Sequence, residues 1–462
     1  MPTPSGRRLF AVLFAVLCSV SLLAAPMAAG ESGNDQPTTC VGTMEQPANG
    51  TTVVAVQGFT WHDGNATKKP AKLVGLGPRG QVKWVHHSAE HGVSWQYDVD
   101  PMDNGNVFVT ATSHKKTKVY EFNPRTQKHV WEETLHIEDT HDVDLINDGT
   151  QLLVANMKNY DEKTETNNDS IFVYDLEKDE ITWRWYFRNH FEKSAGGKYT
   201  KDWTHVNDVD KIGPGKYMAD PRNMNQVIVV DKESKDITMR LGKQNNKSIL
   251  NRQHNPDYME SEEGDPTIIV ADSHNNRAVE YEREDGEWNR TWSVGSSDSF
   301  NWPRDADRLP NGNTLIVDSA NHRVVEVTPT GEIVWEFYSP WLPYDAERVV
   351  YGDGSNGSTM ADMNVTGNYD VSGSANIVPG TGDRIDMGST LGNVFAATPF
   401  EEEARTLGEK WEQGAQFVRP IWMDEYAFIA ALAAILLVLG WIVGELVYQR
   451  RRIYYGVRNR LA

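Results

Sequence analysis

Residues 304–335 read RDADRLPNGNTLIVDSANHRVVEVTPTGEIVW. An acidic pair is followed by a Pro-Asn-Gly-Asn turn, an apolar run, an Asn-His-Arg turn, a second apolar run and a Trp. Gly and Asn tolerate the positive φ of tight hairpins, and Val and Ile favour strands. The stretch therefore predicts short antiparallel strands joined by tight turns.

The same order of features recurs along the chain. Four further copies have their acidic positions within 98–100, 141–144, 207–210 and 255–257, and a degenerate copy covers 53–84. Six copies of short strands, spaced by roughly 40 to 65 residues, are typical of a β-propeller. We predict an all-β fold with a six-bladed β-propeller over residues 50–345. The repeated Asp-x-Asp is interpreted as a turn and bulge device, with calcium ligation as the alternative.

Composition excludes several classes of protein. The 462 residues contain 65 Asp plus Glu and 45 Lys plus Arg, which gives a net charge of −20. Such a surface repels a phosphate backbone, so no nucleic-acid partner is expected. A mean hydropathy of −0.55 excludes a polytopic membrane protein. Two Cys are too few for a disulfide scaffold.

Two apolar segments flank the repeats. Arg7 and Arg8 precede an apolar run and then small residues, so residues 1–30 are predicted to be an export signal of the twin-arginine type. Residues 424–447 are predicted to form one transmembrane helix. The tail, residues 448–462, carries five Arg. By the positive-inside rule we expect a single-pass cell-membrane protein with a cytoplasmic tail and an extracellular N-terminal domain.

The segments between these regions are less regular. Residues 31–49 are expected to be a linker, 346–398 a Gly/Asn-rich insert or linker, and 399–423 a short helix with a juxtamembrane segment. Residues 416–422 are expected to close the ring as a strand.

The net charge and the Asn-x-Ser/Thr triplets indicate the environment in which the protein works. Setting aside the two Arg of the signal and the five of the tail lowers the net charge from −20 to about −27, which suits a halophilic source because salt screens the repulsion. Seven Asn-x-Ser/Thr triplets are glycosylation candidates.

The candidate site residues stand just before the acidic pair, at a position of the repeat where the residue type differs from copy to copy. His141, His205, His254 and Arg304 stand at the start of the innermost strand in four copies. Those strands line the central channel, so the four side chains are expected to converge at one mouth. The alternative is that the histidines cap strands or bind loop carbonyls. By contrast His86, His87 and His91, which follow Trp84, are expected at the surface.

Three functions fit such a site. The first is an enzyme in which a neutral imidazole attacks a sulfuryl or phosphoryl group, with Asn207 and Arg222 stabilising the equatorial oxygens. The second is a non-catalytic, membrane-tethered propeller that binds a surface glycan or a protein partner. The third is a His-ligated metal hydrolase. No P-loop is present, so a nucleotide-bound donor is not indicated.

One motif resembles a known family. The segment His205-Val-Asn207, followed by Arg222-Asn223, is similar to the signature of the arylsulfate sulfotransferases. These are exported six-bladed propellers that move sulfate between phenols without a nucleotide donor. The C-terminal apolar segment makes the chain resemble a membrane-anchored, haloarchaeal-type relative.

The resemblance implies roles for the candidate residues. His254 is the nucleophile that carries the sulfuryl group as a sulfohistidine. His205 and His141 bind the sulfuryl oxygens or move the phenolic proton, and Asn207 and Arg222 stabilise charge. Arg304 is expected to bind substrate. The implied partners are an aryl sulfate donor, a phenolic acceptor and, through the C-terminal helix, the membrane. No cofactor and no metal ion are expected.

Overall fold

Six sheets, each built on four antiparallel strands and one of them extended by a fifth strand, follow one another along the chain, which confirms the predicted six-bladed propeller. The structure is a computed structural model that describes residues 13–14, 47–60, 67–339, 341–373, 387–419 and 425–461. Most of the predicted export signal lies outside these residues. Blades are numbered 1 to 6 here, and the four strands of each blade are given from the channel outward.

The first three blades form as follows. Blade 1 consists of Pro343–Arg348, Thr52–Val56, Lys72–Leu76 and Val82–His86. Blade 2 consists of Trp95–Pro101, Val107–Thr112, Thr117–Asn123 and Lys128–Leu135. Blade 3 consists of Val143–Ile146, Gln151–Asn156, Ser170–Asp175 and Glu180–Tyr186.

The last three blades repeat the pattern. Blade 4 consists of Val206–Gly213, Lys216–Pro221, Gln226–Asp231 and Ile237–Gly242. Blade 5 consists of His254–Glu260, Pro266–Asp272, Arg277–Glu284 and Glu287–Val294. Blade 6 consists of Pro303–Arg308, Thr314–Asp318, Arg323–Val327 and Ile333–Tyr338.

Two short hairpins and five 3₁₀ helices lie in the connections between the blade strands. Two small hairpins pair Phe59–Thr60 with Thr67–Lys69 and Tyr160–Asp161 with Thr166–Asn167. Five 3₁₀ helices cover Ser88–His91, Phe187–Asn189, Arg222–Met224, Ser273–Asn275 and Ser319–Asn321. The last three occupy the same position, between the second and third strands of blades 4, 5 and 6. That turn lies at the same end of the blade as the start of the inner strand.

The hydrophobic core lies between neighbouring blades rather than at one centre. One cluster joins blades 3 and 4, where Leu153, Ile171 and Trp185 pack with Tyr217 and Ile228. Further clusters join blades 1 and 2, 2 and 3, 4 and 5, and 5 and 6. Alternating strand residues face one neighbour or the other, which is why both faces of most middle strands are apolar.

The ring closes in blade 1. Its innermost strand, Pro343–Arg348, pairs antiparallel with Thr52–Val56 from the opposite end of the chain. The prediction that residues 416–422 close the ring is wrong, because residues 416–418 are the end of a helix. The closing strand carries Tyr344, Asp345 and Glu347, and so continues the acidic repeat by one further copy.

The acidic pairs lie in or just before the inner strands and link three of the blades to the blade before them. The N–H of Val99 donates to Asp345 over 2.8 Å, and the N–H of Val209 donates to Asp142 over 2.6 Å. Register shifts precede the pairs, for example between Gln96 and Val99. The predicted bulges are therefore present, whereas the pairs do not form turns: they accept backbone hydrogen bonds between blades.

Residues 349–373 pack on the ring after the closing strand. The N–H of Met360 donates to Glu280, and Met360 is buried in the core between blades 5 and 6. Gly367–Tyr369 then adds a parallel strand to the outer edge of blade 5. An edge strand with unpaired backbone groups is thereby covered.

A second unit of the chain is helical. Helix α1 covers Met387–Val394, α2 covers Glu401–Val418 and α3 covers Glu425–Leu461. Within α3, Ala427–Val447 has a mean hydropathy of 2.6 over 21 residues, enough in length and composition to span a bilayer. The predicted C-terminal apolar helix is confirmed at this level.

Candidate functional site

All six blades place a polar or aromatic side chain at the start of the inner strand. Going round the ring from blade 1 to blade 6, these are Tyr344, Tyr97, His141, His205 with Asn207, His254 and Arg304. Ring contacts join them: His141 lies 5.1 Å from His205 and 5.5 Å from Tyr344 between centroids, and His254 lies 6.0 Å from Tyr344. The structure therefore brings the sequence-predicted residues together at one mouth.

The ring of His254 is held by a serine. Its Nδ1 lies 2.7 Å from Oγ of Ser273, and that Oγ lies 3.3 Å from the carbonyl oxygen of Ala271. The carbonyl is one acceptor for the hydroxyl proton of Ser273. With the proton there, Oγ accepts from Nδ1–H of His254, and Nε2 of His254 keeps its lone pair.

Electrostatics keep His254 neutral. The side chain is almost fully buried, and burial lowers its pKa well below the usual range. The nearby charges of Arg222 and Arg304 lower the pKa further. At neutral pH the ring is an unprotonated imidazole, the form that acts as a nucleophile.

The ring of His205 is held by a carboxylate. Its Nδ1 lies 2.8 Å from Oδ1 of Asp202, and its buried Nε2 makes no hydrogen bond within the described part of the chain. Burial, followed by the charge of Arg222, lowers the pKa of His205 to about 3. Because an acceptor-only carboxylate holds Nδ1–H, Nε2 is an unused proton acceptor at the mouth.

His141 and Asn207 form one hydrogen-bonded unit. Nδ2 of Asn207 donates to the carbonyl of Gln253 over 3.2 Å, which directs Oδ1 of Asn207 to Nδ1 of His141, 3.1 Å away. The hydroxyl oxygen of Tyr344 lies 3.0 Å from the same Nδ1. A positive φ at His205 and a register shift between Val206 and Val209 bring both His205 and Asn207 to the mouth.

Tyr97 and Asp139 support His141 from the side. The ring of Tyr97 stacks on His141 with centroids 4.0 Å apart, and its hydroxyl donates to Asp139 over 2.8 Å. Burial raises the pKa of Asp139, but contacts with His141 and the ion pair with Lys158 outweigh it and keep the pKa low. Asp139 is therefore a carboxylate that fixes the orientation of the two rings.

Two buried guanidinium groups supply positive charge. Arg222 takes the 3₁₀-helix position that Ser273 takes in blade 5, and it bonds Asn223 over 3.2 Å. Arg304 lies over the ring of Trp302 at 4.0 Å and over that of Tyr344 at 5.1 Å. Burial lowers the pKa of each arginine to about 10, so both stay charged at neutral pH.

The arrangement suits an anion with an attached aromatic ring. Two buried guanidinium groups lie beside neutral imidazoles, and guanidinium groups bind sulfate-like oxygens well. Trp302 and Tyr344 add aromatic surface beside Arg304.

Sequence reasoning missed several members of the site. Tyr97 and Tyr344 directly precede acidic pairs, exactly as His141 and Arg304 do, so the register of the repeat marks them. Ser273 begins the same turn as Arg222 and Ser319, so the repeat marks its position as well. Asp139 and Asp202 lie in connections outside that register, and no sequence signal singles them out.

The comparisons with known proteins were made on sequence and on fold. A family model described as arylsulfotransferase (ASST) matches residues 44–292, which is more than half of the chain. No curated protein matches the sequence.

Several solved structures are similar to parts of the chain. A protein of unknown function from Bacteroides caccae is 14% identical, with 64% of this chain and 98% of that chain covered and a TM-score of 0.43. A putative 6-phosphogluconolactonase from Bacteroides fragilis is 11% identical, with 68% and 99% covered and a TM-score of 0.41. Similarity at this level carries no information about function.

Proposed function

The chain belongs to the arylsulfotransferase family, and on that premise we propose that it moves a sulfuryl group from an aryl sulfate to a phenolic acceptor through a sulfohistidine on His254. The observation that carries the proposal is the Ser273 contact, which leaves Nε2 of His254 as a neutral nucleophile among two buried arginines. No nucleotide takes part.

In the first half-reaction Nε2 of His254 attacks sulfur. The lone pair forms the N–S bond, and the electron pair of the S–O bond leaves with the aryl oxygen. Arg222 and Arg304 offer donors to the sulfuryl oxygens, where negative charge is concentrated, and Asn207 holds His141 beside them. Nδ1–H of His254 shares its positive charge with Ser273 as the N–S bond forms.

In the second half-reaction a phenolic acceptor attacks the same sulfur and releases His254. Nε2 of His205 takes the phenolic proton, because it is a buried acceptor whose other nitrogen is held by Asp202. The proton then passes from His205 to solvent, and the aryl oxygen of the donor leaves as a phenolate, so protons balance over the cycle. His141 positions Asn207 and Tyr344 beside this exchange.

The aromatic part of the donor is proposed to contact Trp302 and Tyr344. Both rings already hold Arg304, so sulfate and aryl group would bind side by side. We also propose that Ala427–Val447 anchors the chain with the Arg-rich tail in the cytoplasm and the propeller outside.

The test uses the full-length protein in detergent with 4-nitrophenyl sulfate as donor and phenol as acceptor. Wild type is expected to release nitrophenolate and, without acceptor, to carry one sulfuryl group detectable by intact mass. His254→Ala is expected to lose both signals, whereas His136→Ala, at an exposed histidine, keeps them. Turnover by His254→Ala at the wild-type rate would refute the proposal.

A further inference from the structure

Three histidines form a second cluster on the outer strands of blades 1 and 2. His86 is the last residue of Val82–His86, His91 ends the 3₁₀ helix Ser88–His91, and His129 lies in Lys128–Leu135. One ring nitrogen from each lies within 4.8 Å of the other two. The expectation that His86 is a surface residue is wrong: it is 4% exposed, while His91 is exposed.

The spacing of the rings matches a tetrahedral metal site. Nε2 of His86 lies 3.2 Å from Nε2 of His129. Two nitrogens bound to zinc at about 2.0–2.1 Å with tetrahedral angles are about 3.3–3.4 Å apart. The ring centroids form a nearly equilateral triangle, with sides of 5.0 Å, 4.8 Å and 5.2 Å.

Glu132 fixes the direction in which His129 offers its lone pair. Its Oε2 lies 3.1 Å from Nδ1 of His129, so Nδ1–H donates to the carboxylate and Nε2 faces His86. A carboxylate behind a ligating histidine is the usual outer support of a zinc site. Tyr120 stacks on His129 at 4.1 Å, which further restricts the ring.

The burial of the three rings leaves one side of the cluster open. His86 is buried, whereas His91 is exposed. The exposed side of His91 leaves room for water as a fourth ligand.

We propose that His86, His91 and His129 bind one zinc ion. Three imidazoles and a water suit zinc in ligand type and number. The ion would join the outer strand of blade 1, the blade that closes the ring, to the outer strand of blade 2. Its role is thus a cross-link between blades, separate from the mouth of the channel.

The experiment measures metal binding by the full-length protein in detergent after EDTA treatment and buffer exchange. Titration calorimetry with Zn²⁺ is expected to show one site, and Co²⁺ is expected to give the strong visible absorption of tetrahedral coordination. His91→Ala changes an exposed side chain and is expected to fold, yet to weaken zinc binding at least about tenfold. His129→Ala is expected to do the same.

Two further variants keep the test specific. Glu132→Gln retains all three ligands and is expected to bind zinc about 10- to 100-fold more weakly. His136→Ala, at an exposed histidine just beyond the same strand, is the matched control and is expected to bind like wild type. Absence of a site in wild type, or unchanged affinity in both His91→Ala and His129→Ala, would overturn the proposal.

Discussion

We propose that Ser273 determines which nitrogen of His254 is free to react. With its hydroxyl proton on the carbonyl of Ala271, the oxygen accepts from Nδ1–H of His254. A histidine without that partner exchanges between two tautomers, and only one of them places the lone pair on Nε2. Ser273 is therefore a positioning residue for the proposed nucleophile.

Ser273→Ala is expected to lower kcat about two- to tenfold without abolishing transfer, because one hydrogen bond contributes about 0.5–1.5 kcal/mol. Ser273→Thr keeps the hydroxyl and should recover most of the rate. Nitrophenolate release at saturating donor measures kcat for both. Equal rates for Ser273→Ala and wild type would show that the serine does not position His254.

The positions of the site residues could be predicted from the sequence where those residues belong to the repeat. His141, His205, His254 and Arg304 lie at or just before the start of an inner strand, so the register alone places them at one mouth. The supporting carboxylates Asp139 and Asp202 lie in loops, whose paths depend on tertiary packing. Their partners are consequently visible only in the folded chain.

Buried arginines clamp neighbouring blades at equivalent positions. Arg308, at the end of the inner strand of blade 6, pairs with Glu280 of blade 5 at 3.0 Å. Arg348, at the end of the closing strand, pairs with Glu326 of blade 6 at 2.7 Å and lies 4.5 Å above the ring of Trp335. These two ion pairs hold the inner strands of blades 6 and 1 to the preceding blade.

Arg348→Ala is expected to destabilise the protein by about 3–5 kcal/mol, because Glu326 would remain buried without its counter-ion. Arg348 lies on the strand that closes the ring, so its removal weakens the contact between blades 6 and 1. Urea unfolding followed by tryptophan fluorescence measures the effect. Arg125→Ala, at an exposed arginine, should stay within about 0.5 kcal/mol; a similarly small effect of Arg348→Ala would contradict the clamp.

The strands were easier to predict than the closure. Apolar runs between Gly and Asn turns define the strands of most blades, since both patterns are local. The closing strand was missed although Tyr344-Asp-Ala-Glu347 repeats Arg304-Asp-Ala-Asp307, because pairing with Thr52–Val56 joins distant parts of the chain. Residues 416–418 instead continue an acidic helix that begins at Glu401.

In the described part of the chain, twelve buried carboxyl groups on or near the inner strands have a raised pKa. They are Asp98, Asp100, Asp142, Asp144, Asp208, Asp210, Asp257, Asp305, Asp307, Asp345, Glu347 and Asp353. Burial, together with repulsion from neighbouring carboxylates, raises the pKa of Asp305 to about 8, and burial is the main cause for Asp144, at about 7. The folded ring thus holds protons that an unfolded chain releases above about pH 4.

The melting temperature should therefore rise as the pH falls from 9 to about 6.5. A carboxyl with a raised pKa destabilises the fold when ionised, and stability returns as it takes up a proton below its folded pKa. Buried histidines oppose this only below about pH 6.5, where the unfolded chain begins to protonate them. Differential scanning fluorimetry across pH 6.5–9 at constant salt measures the slope.

Asp307→Asn tests whether these carboxyl groups cause that slope. Asp307 is 3% exposed, and its Oδ2 makes no hydrogen bond within the described residues. Removing its charge relieves repulsion from Asp305, Glu347 and Asp257, so the variant should melt higher than wild type at pH 9 and show a shallower slope. Asp103→Asn, at an exposed position, should leave the profile unchanged. Two results would contradict this prediction. One is a wild-type melting temperature that does not change with pH, and the other is a wild-type slope in Asp307→Asn. Either would show that protonation of these carboxyl groups does not control the stability of the fold.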